Sequence, residues 1–329
     1  MTRYLKTFLL LAVVASGSFA QTSRNGEFSA SVTTSGGAKD RNDHNTWSAR
    51  IIDRNGKARY EISRDIPFDM QFPSVYVADD GSSIVVYVFV GAVDFYDSRG
   101  KLIRTLGPFG KKTAEHEQII KCSVAGKRAA FLISTPESKY AQLFVTDLGG
   151  DELWRKYLRG KNAGEIMLSS DSKLLVAGSY EVNAKPQHFA ELFGEDGQAL
   201  RTLNASFRFA DFLPDGRFVF SDRNSVTIAS LVGDEAGRTW NTGHKEKIVT
   251  ALKVVDNIAA CAVEQVRIPN GTPAYIDPTL VLLNEEAQVL GTTQINASSQ
   301  HPSVISTDGK HVRLTSEAKQ ASIPIPTGR

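Results

Sequence analysis

The chain has 329 residues, and its 38 Lys and Arg nearly balance 36 Asp and Glu, leaving a net charge of +2. With both signs mixed and no basic stripe, nucleic acid is not an expected partner. Two cysteines, Cys122 and Cys261, are too few for a disulfide scaffold and lack the paired spacing of a metal site.

Met1 to Ala20 carries Arg3 and Lys6, then the apolar run Phe8 to Val14, then small residues ending in Ala20. This is the pattern of a secretory signal peptide with cleavage before Gln21, its apolar core too short to span a bilayer. The expected location is periplasmic or secreted, with no membrane span. Residues 21–45 read as a polar N-terminal segment, with a short strand at Phe28 to Val32 and a flexible loop rich in Gly, Asp and Asn. Residues 46–329 read as a single domain.

Within that domain Trp47 to Ile52 and Ala58 to Ile62 flank Asp53-Arg-Asn-Gly56, a strong hairpin turn signal. The clearest unit runs from Phe72 to Gly110. Pro73 to Ala78 is a strand, Asp79-Asp80-Gly81 a turn, and Ser83 to Val90 an unbroken apolar strand that implies burial on both faces. Ala92 to Tyr96 and Lys101 to Leu106 follow around Asp97-Ser-Arg-Gly100. The same grammar returns four more times, and the end from Pro302 to Thr315 supplies a first hairpin without a clear second half. First-hairpin turns at Gly81, Gly126, Ser172, Gly216, Asn257 and Gly309 are spaced by about 41 to 52 residues, the period of a four-stranded repeat. No helical periodicity competes with this pattern.

Three stretches resemble repeats of known ring-shaped folds. Val93-Asp-Phe-Tyr-Asp-Ser-Arg-Gly-Lys-Leu-Ile-Arg-Thr-Leu-Gly107 resembles the end of an NHL repeat, and Leu143 to Trp154 is similar to a quinoprotein-type repeat. Thr242-Gly-His244 with Ile248-Val249 resembles the opening of a WD repeat. Together they point to an all-β fold, a β-propeller, and the count of six first and six last strands sets six four-stranded blades, with seven as the alternative. A composite blade drawn from both termini would close it and hide strand edges. The two cysteines then fall on opposite sides of the ring as buried free thiols. No two cysteines are adjacent, so the cofactor site of quinoprotein dehydrogenases is not implied. No cofactor is expected.

The six histidines show no i, i+4 pair, and no Gly-x-Ser-x-Gly elbow occurs in the mature chain. The acidic turns at Asp79-Asp80, Asp215, Asp256 and Asp308 are better explained by turn chemistry than by metal binding. Longer connections at 107–116, 181–188 and 267–277 are expected to emerge on one face. They would gather Lys111, Lys112, His116, Lys185, His188, Arg267 and Tyr275 into a ligand-binding rim. The functional expectation is an exported noncatalytic binding or scaffold module for a protein, peptide or glycan. The alternative is a metal-assisted hydrolase or lactonase with its site at the channel mouth.

Overall fold

The structure is a computed structural model that describes residues 21–326, apart from 36–43, 68–71, 89, 108–117, 135–139, 160, 183–184, 204–207, 231–236 and 308. The chain divides into two compact units that meet in sequence between Asn162 and Ala163.

The first unit holds three four-stranded antiparallel sheets. They comprise β1 (Gln21–Thr22), β2 (Phe28–Ser35), β3 (His44–Asp53) and β4 (Ala58–Pro67); β5 (Ser74–Val77), β6 (Ser83–Tyr87), β7 (Ala92–Tyr96) and β8 (Leu102–Leu106); and β9 (Gln118–Ala125), β10 (Arg128–Ser134), β11 (Tyr140–Asp147) and β12 (Glu152–Arg159). In each, strands pair in chain order.

The second unit continues the pattern with β13 (Asn162–Leu168), β14 (Leu174–Val182), β15 (Lys185–Phe193) and β16 (Ala199–Leu203), then β17 (Phe209–Phe212), β18 (Phe218–Ser221), β19 (Ser225–Ala229) and β20 (Arg238–Asn241). The sixth sheet is β21 (Lys247–Val255), β22 (Ile258–Arg267), β23 (Ala274–Leu283) and β24 (Val289–Gln294), with the short β25 (Ser298–Ser299) also on β23. The last has three strands, β26 (Val304–Thr307), β27 (His311–Ser316) and β28 (Lys319–Pro324). Among the described residues the only helical element is one 3-10 turn at Pro269–Gly271, and no helix is long and apolar enough to cross a membrane.

The described strands thus make seven sheets where the sequence reading favoured six, and strands from the two ends lie in separate sheets rather than sharing one. The difference comes from β1. It is two residues long, too short for any periodic signal, yet Gln21 pairs with Ala30 and Thr22 with Ser29 across a turn at Gly26. That adds a first hairpin ahead of β3 and β4. Residues 21–35 are therefore joined to the sheet that follows them, β2 pairing with β3 from Phe28↔Asp53 to Ser35↔Thr46.

Period-two alternation explains how the sheets stack. In β6, Val85 packs into a cluster with Trp47, Ile51 and Ile62 of the preceding sheet, while Ile84 and Val86 face Phe131 and Ile133 of the following one. In β22, Ala259, Cys261 and Val263 face Val219 and Val226, and Ala260 and Ala262 face Val312 and Leu314. A middle strand buried on both faces is apolar at most positions, which is why these strands read as runs, with Ser83 on β6 and Glu264 on β22 as buried exceptions. Fourth strands are wetter, and Leu102 to Thr105 are all exposed.

The turns between third and fourth strands repeat one device. Asp53, Asp97, Asp147 and Asn284 each use side-chain Oδ1 to accept two backbone N–H groups, those of the residues two and four positions on, at 2.8–3.0 Å. For Asp97 the N–H groups of Lys101 and Arg99 hold the carboxyl below its ordinary value. Gly100 closes such a turn at φ +82°, and a Cβ there would stand 2.6 Å from the Tyr60 ring, so only glycine fits.

The turn Ser169–Lys173 matches those at Ala78–Ser82 and Leu213–Arg217, but carries Ser172 at φ 69° where the others carry Gly81 and Gly216. Ser172→Gly is therefore expected to stabilise the protein by about 0.5–1 kcal/mol, relief of the left-handed strain outweighing the gain in unfolded-chain entropy. A denaturant midpoint that falls would show that the Ser172 side chain contributes more than its backbone costs.

Both cysteines are free thiols. Burial pushes Cys261 up to about 12, with its Sγ 3.6 Å from the Val281 carbonyl, and raises Cys122 well above the ordinary value.

Candidate functional site: an apolar pocket with two opposite charges

Three first strands of the second unit, β13, β17 and β21, come together at a cavity of about 300 Å³. Its floor is apolar: Met167 of β13, Leu175 and Ala177 of β14, Phe209 and Ala210 of β17, and Leu252 of β21. Alternation on β17 accounts for this placement. Phe209 packs towards the sixth-sheet cluster with Leu252, and Ala210 towards the fourth-sheet cluster with Met167 and Leu175. The strand edge between them opens into the cavity.

Glu165 and Arg208 are exposed lining residues of opposite charge. Arg208 is fixed at its backbone, whose N–H donates to the Ser221 carbonyl at 2.8 Å, and its guanidinium lies 5.8 Å from the centre of the Phe209 ring. That stacking holds the cation beside the apolar floor.

The junction below is polar and rigid. Asp211 Oδ1 accepts the Phe212 N–H at 2.8 Å and Oδ2 the Val254 N–H at 2.7 Å, tying β17 to the edge of β21. Lys253 is held below its ordinary value of 10.5 by burial, with the Asp211 charge working the other way.

A second polar cluster lies in the first unit. Asp94 of β7 is buried, and its Oδ2 accepts from the hydroxyls of Tyr87 at 3.1 Å and Tyr96 at 3.3 Å, its Oδ1 from Thr105 at 2.6 Å. Arg64 of β4 donates to the Tyr96 hydroxyl at 2.6 Å and stands 3.8 Å from Asp94. Desolvation first, then the Asp94 charge, pushes Tyr87 to about 12 and Tyr96 further, so both phenols stay protonated donors at neutral pH.

Among solved structures, the chain is similar to the C-terminal WD40 domain of Sif2, with 12% identity and a TM-score of 0.55 over 93% of this chain and 80% of that one. The fold is that of a β-propeller. The Dos1 propeller is a further similar structure, at 13% identity and a TM-score of 0.47, over 92% of this chain and 91% of that one. No family model and no curated protein sequence matches the chain.

The residues of the sequence-derived rim come from separate segments of the chain. Lys111, Lys112 and His116 lie outside the described residues. The segment expected to loop from Glu181 to His188 is instead an extended hairpin, with Val182 paired to Lys185 and Ser179 to His188, and His188 is exposed on β15. Likewise Arg267 ends β22 and Tyr275 is the second residue of β23. Pairing of Val266 with Tyr275 and of Arg267 with Ala274 puts Arg267 and Tyr275 on opposite faces of their sheet. The propeller's pocket residues escaped the sequence reading because Glu165, Arg208 and Leu252 sit on strands far apart in sequence. Asp94 did carry a signal, a carboxylate inside the otherwise apolar run Ala92 to Tyr96.

Asp80 and Asp215 each cap their own turn, and Asp308 lies outside the described residues. Asp80 Oδ1 accepts the Ser82 N–H at 2.9 Å, and Asp215 Oδ1 the Arg217 N–H at 2.9 Å. Asp79 bridges turns of its neighbours, taking the N–H of Asn25 at 2.8 Å and of Gly126 at 3.2 Å.

Proposed function

We propose that this chain is an exported, noncatalytic propeller that acts as a binding or scaffold module for a protein, peptide or glycan partner. One observation carries the reading: a cavity of about 300 Å³ whose lining offers apolar surface and two opposite charges, the makings of recognition rather than of bond cleavage. Its apolar floor favours a polypeptide side chain over a sugar ring, which would ask for several hydrogen-bonding groups. Export rests on the Met1–Ala20 pattern and gives a mature chain starting at Gln21.

The test fills the pocket. Immobilised protein is used to select binders from a displayed random-peptide library and from a glycan array. Ala177→Phe, which occupies the floor, is expected to lower binding of the selected ligands at least tenfold while the melting temperature stays within a few degrees. Arg208→Glu, at an exposed position, serves as the second variant should the filled pocket fail to fold. Ligands that bind both variants as tightly as the parent protein would exclude the pocket as the binding site.

A further inference from the structure

The size of the cavity limits what enters it. About 300 Å³ admits one large side chain with its flanking backbone, not the edge of a folded domain. The six apolar floor residues come from β13, β14, β17 and β21, so an entering side chain is surrounded on several sides. What distinguishes this pocket from a plain apolar hollow is its charge. Glu165 and Arg208 are the two charged residues of the lining, both exposed, and of opposite sign.

We propose that the pocket selects a polypeptide segment in which one leucine-, methionine- or phenylalanine-sized side chain stands between an acidic and a basic residue. The apolar side chain fills the floor, the acid pairs with Arg208 and the base with Glu165. This rests on the reading of the pocket as a polypeptide-binding site, and names the sequence it reads. Arg208 suits its part, because the guanidinium presents a fork of N–H donors to a carboxylate and is steadied over Phe209. Glu165 is not without an interaction of its own, and an incoming ammonium would share its carboxylate, which has about four lone-pair sites. Two like-charged neighbours would place one of their charges against its own sign, which gives the pocket a means of rejecting them. Affinity then comes from the apolar residue and selectivity from the pair of charges.

The probes are capped, fluorescently labelled five-residue peptides with the cores Glu-Leu-Lys, Glu-Leu-Glu, Lys-Leu-Lys and Glu-Ala-Lys, titrated by polarisation up to millimolar protein at low and at physiological salt. The parent protein is expected to bind Glu-Leu-Lys several-fold more tightly than either like-charged peptide, the gap narrowing with salt, and at least tenfold more tightly than Glu-Ala-Lys. Arg208→Glu is expected to shift the preference to Lys-Leu-Lys, a gain of binding that an unfolded variant cannot give. Equal binding of the three leucine peptides, all of it blocked by Ala177→Phe, would overturn the charge selection and leave the pocket as a polypeptide site. Failure of every peptide to bind would overturn that reading as well.

Discussion

Asp94→Ala is expected to destabilise the protein by about 3 kcal/mol, far beyond the cost of an exposed ion pair. Arg64 alone would not justify that figure, since its side chain is 41% exposed and its charge 3.8 Å from Asp94 is screened by water. The cost lies in the hydroxyl donors. Tyr87, Tyr96 and Thr105 all donate to this carboxylate; Thr105, on the exposed strand β8, can turn to water, but the two tyrosines are packed with the first two sheets and alanine leaves their hydroxyls without this acceptor. Asp94→Asn keeps the volume and one acceptor oxygen, so about half of the loss is expected to return. Arg64→Ala is expected to cost less than about 1 kcal/mol. Urea unfolding of the three variants checks the order, and an Arg64→Ala loss as large as that of Asp94→Ala would show that the ion pair, not the hydroxyl set, holds the sheets.

Asp94 also shows how far a sequence can be read here. Local rules recovered nearly every strand. Middle strands were legible because burial on two faces disfavours polar residues, and the hairpins were legible because Asp, Asn and Gly meet the demands of positive φ and of side-chain caps. Asp97 and Asp147 are such caps, each accepting two N–H groups of its turn. Ser172 lacks the glycine its turn calls for, yet it occupies the same turn, because spacing and pairing override one strained residue. What escaped local rules was short or tertiary. β1 has two residues and no period, so the first hairpin was missed and six sheets were favoured over seven. The expected loop at 181–188 is paired, since a polar composition with a proline does not by itself tell a paired hairpin from a loop. The pocket needs Glu165, Arg208 and Leu252 to meet, and nothing within any one strand announces that meeting.

Stacking of sheets through two-sided strands makes its own demand on Phe131, which has no exposed surface at the centre of β10. Its ring meets Phe95 of the preceding sheet edge-on, at 6.1 Å and 78°, and Phe144 of its own sheet at 6.1 Å and 34°. Removing it empties the middle of the cleft between two sheets, and hydrogen bonding within each sheet limits how far the backbone can follow. Phe131→Ala is therefore expected to cost about 4 kcal/mol, at the upper end for a buried aromatic residue, and Phe131→Leu about 1.5 kcal/mol because it refills most of the space. A loss under about 1 kcal/mol for alanine, measured by urea unfolding with an unchanged slope, would mean that the two sheets close onto one another when the ring is gone. In that case the neighbouring sheets would be held by their connecting chain and their turns, through contacts such as Arg104 to the Gly150 carbonyl at 3.1 Å, rather than by the apolar layer between them.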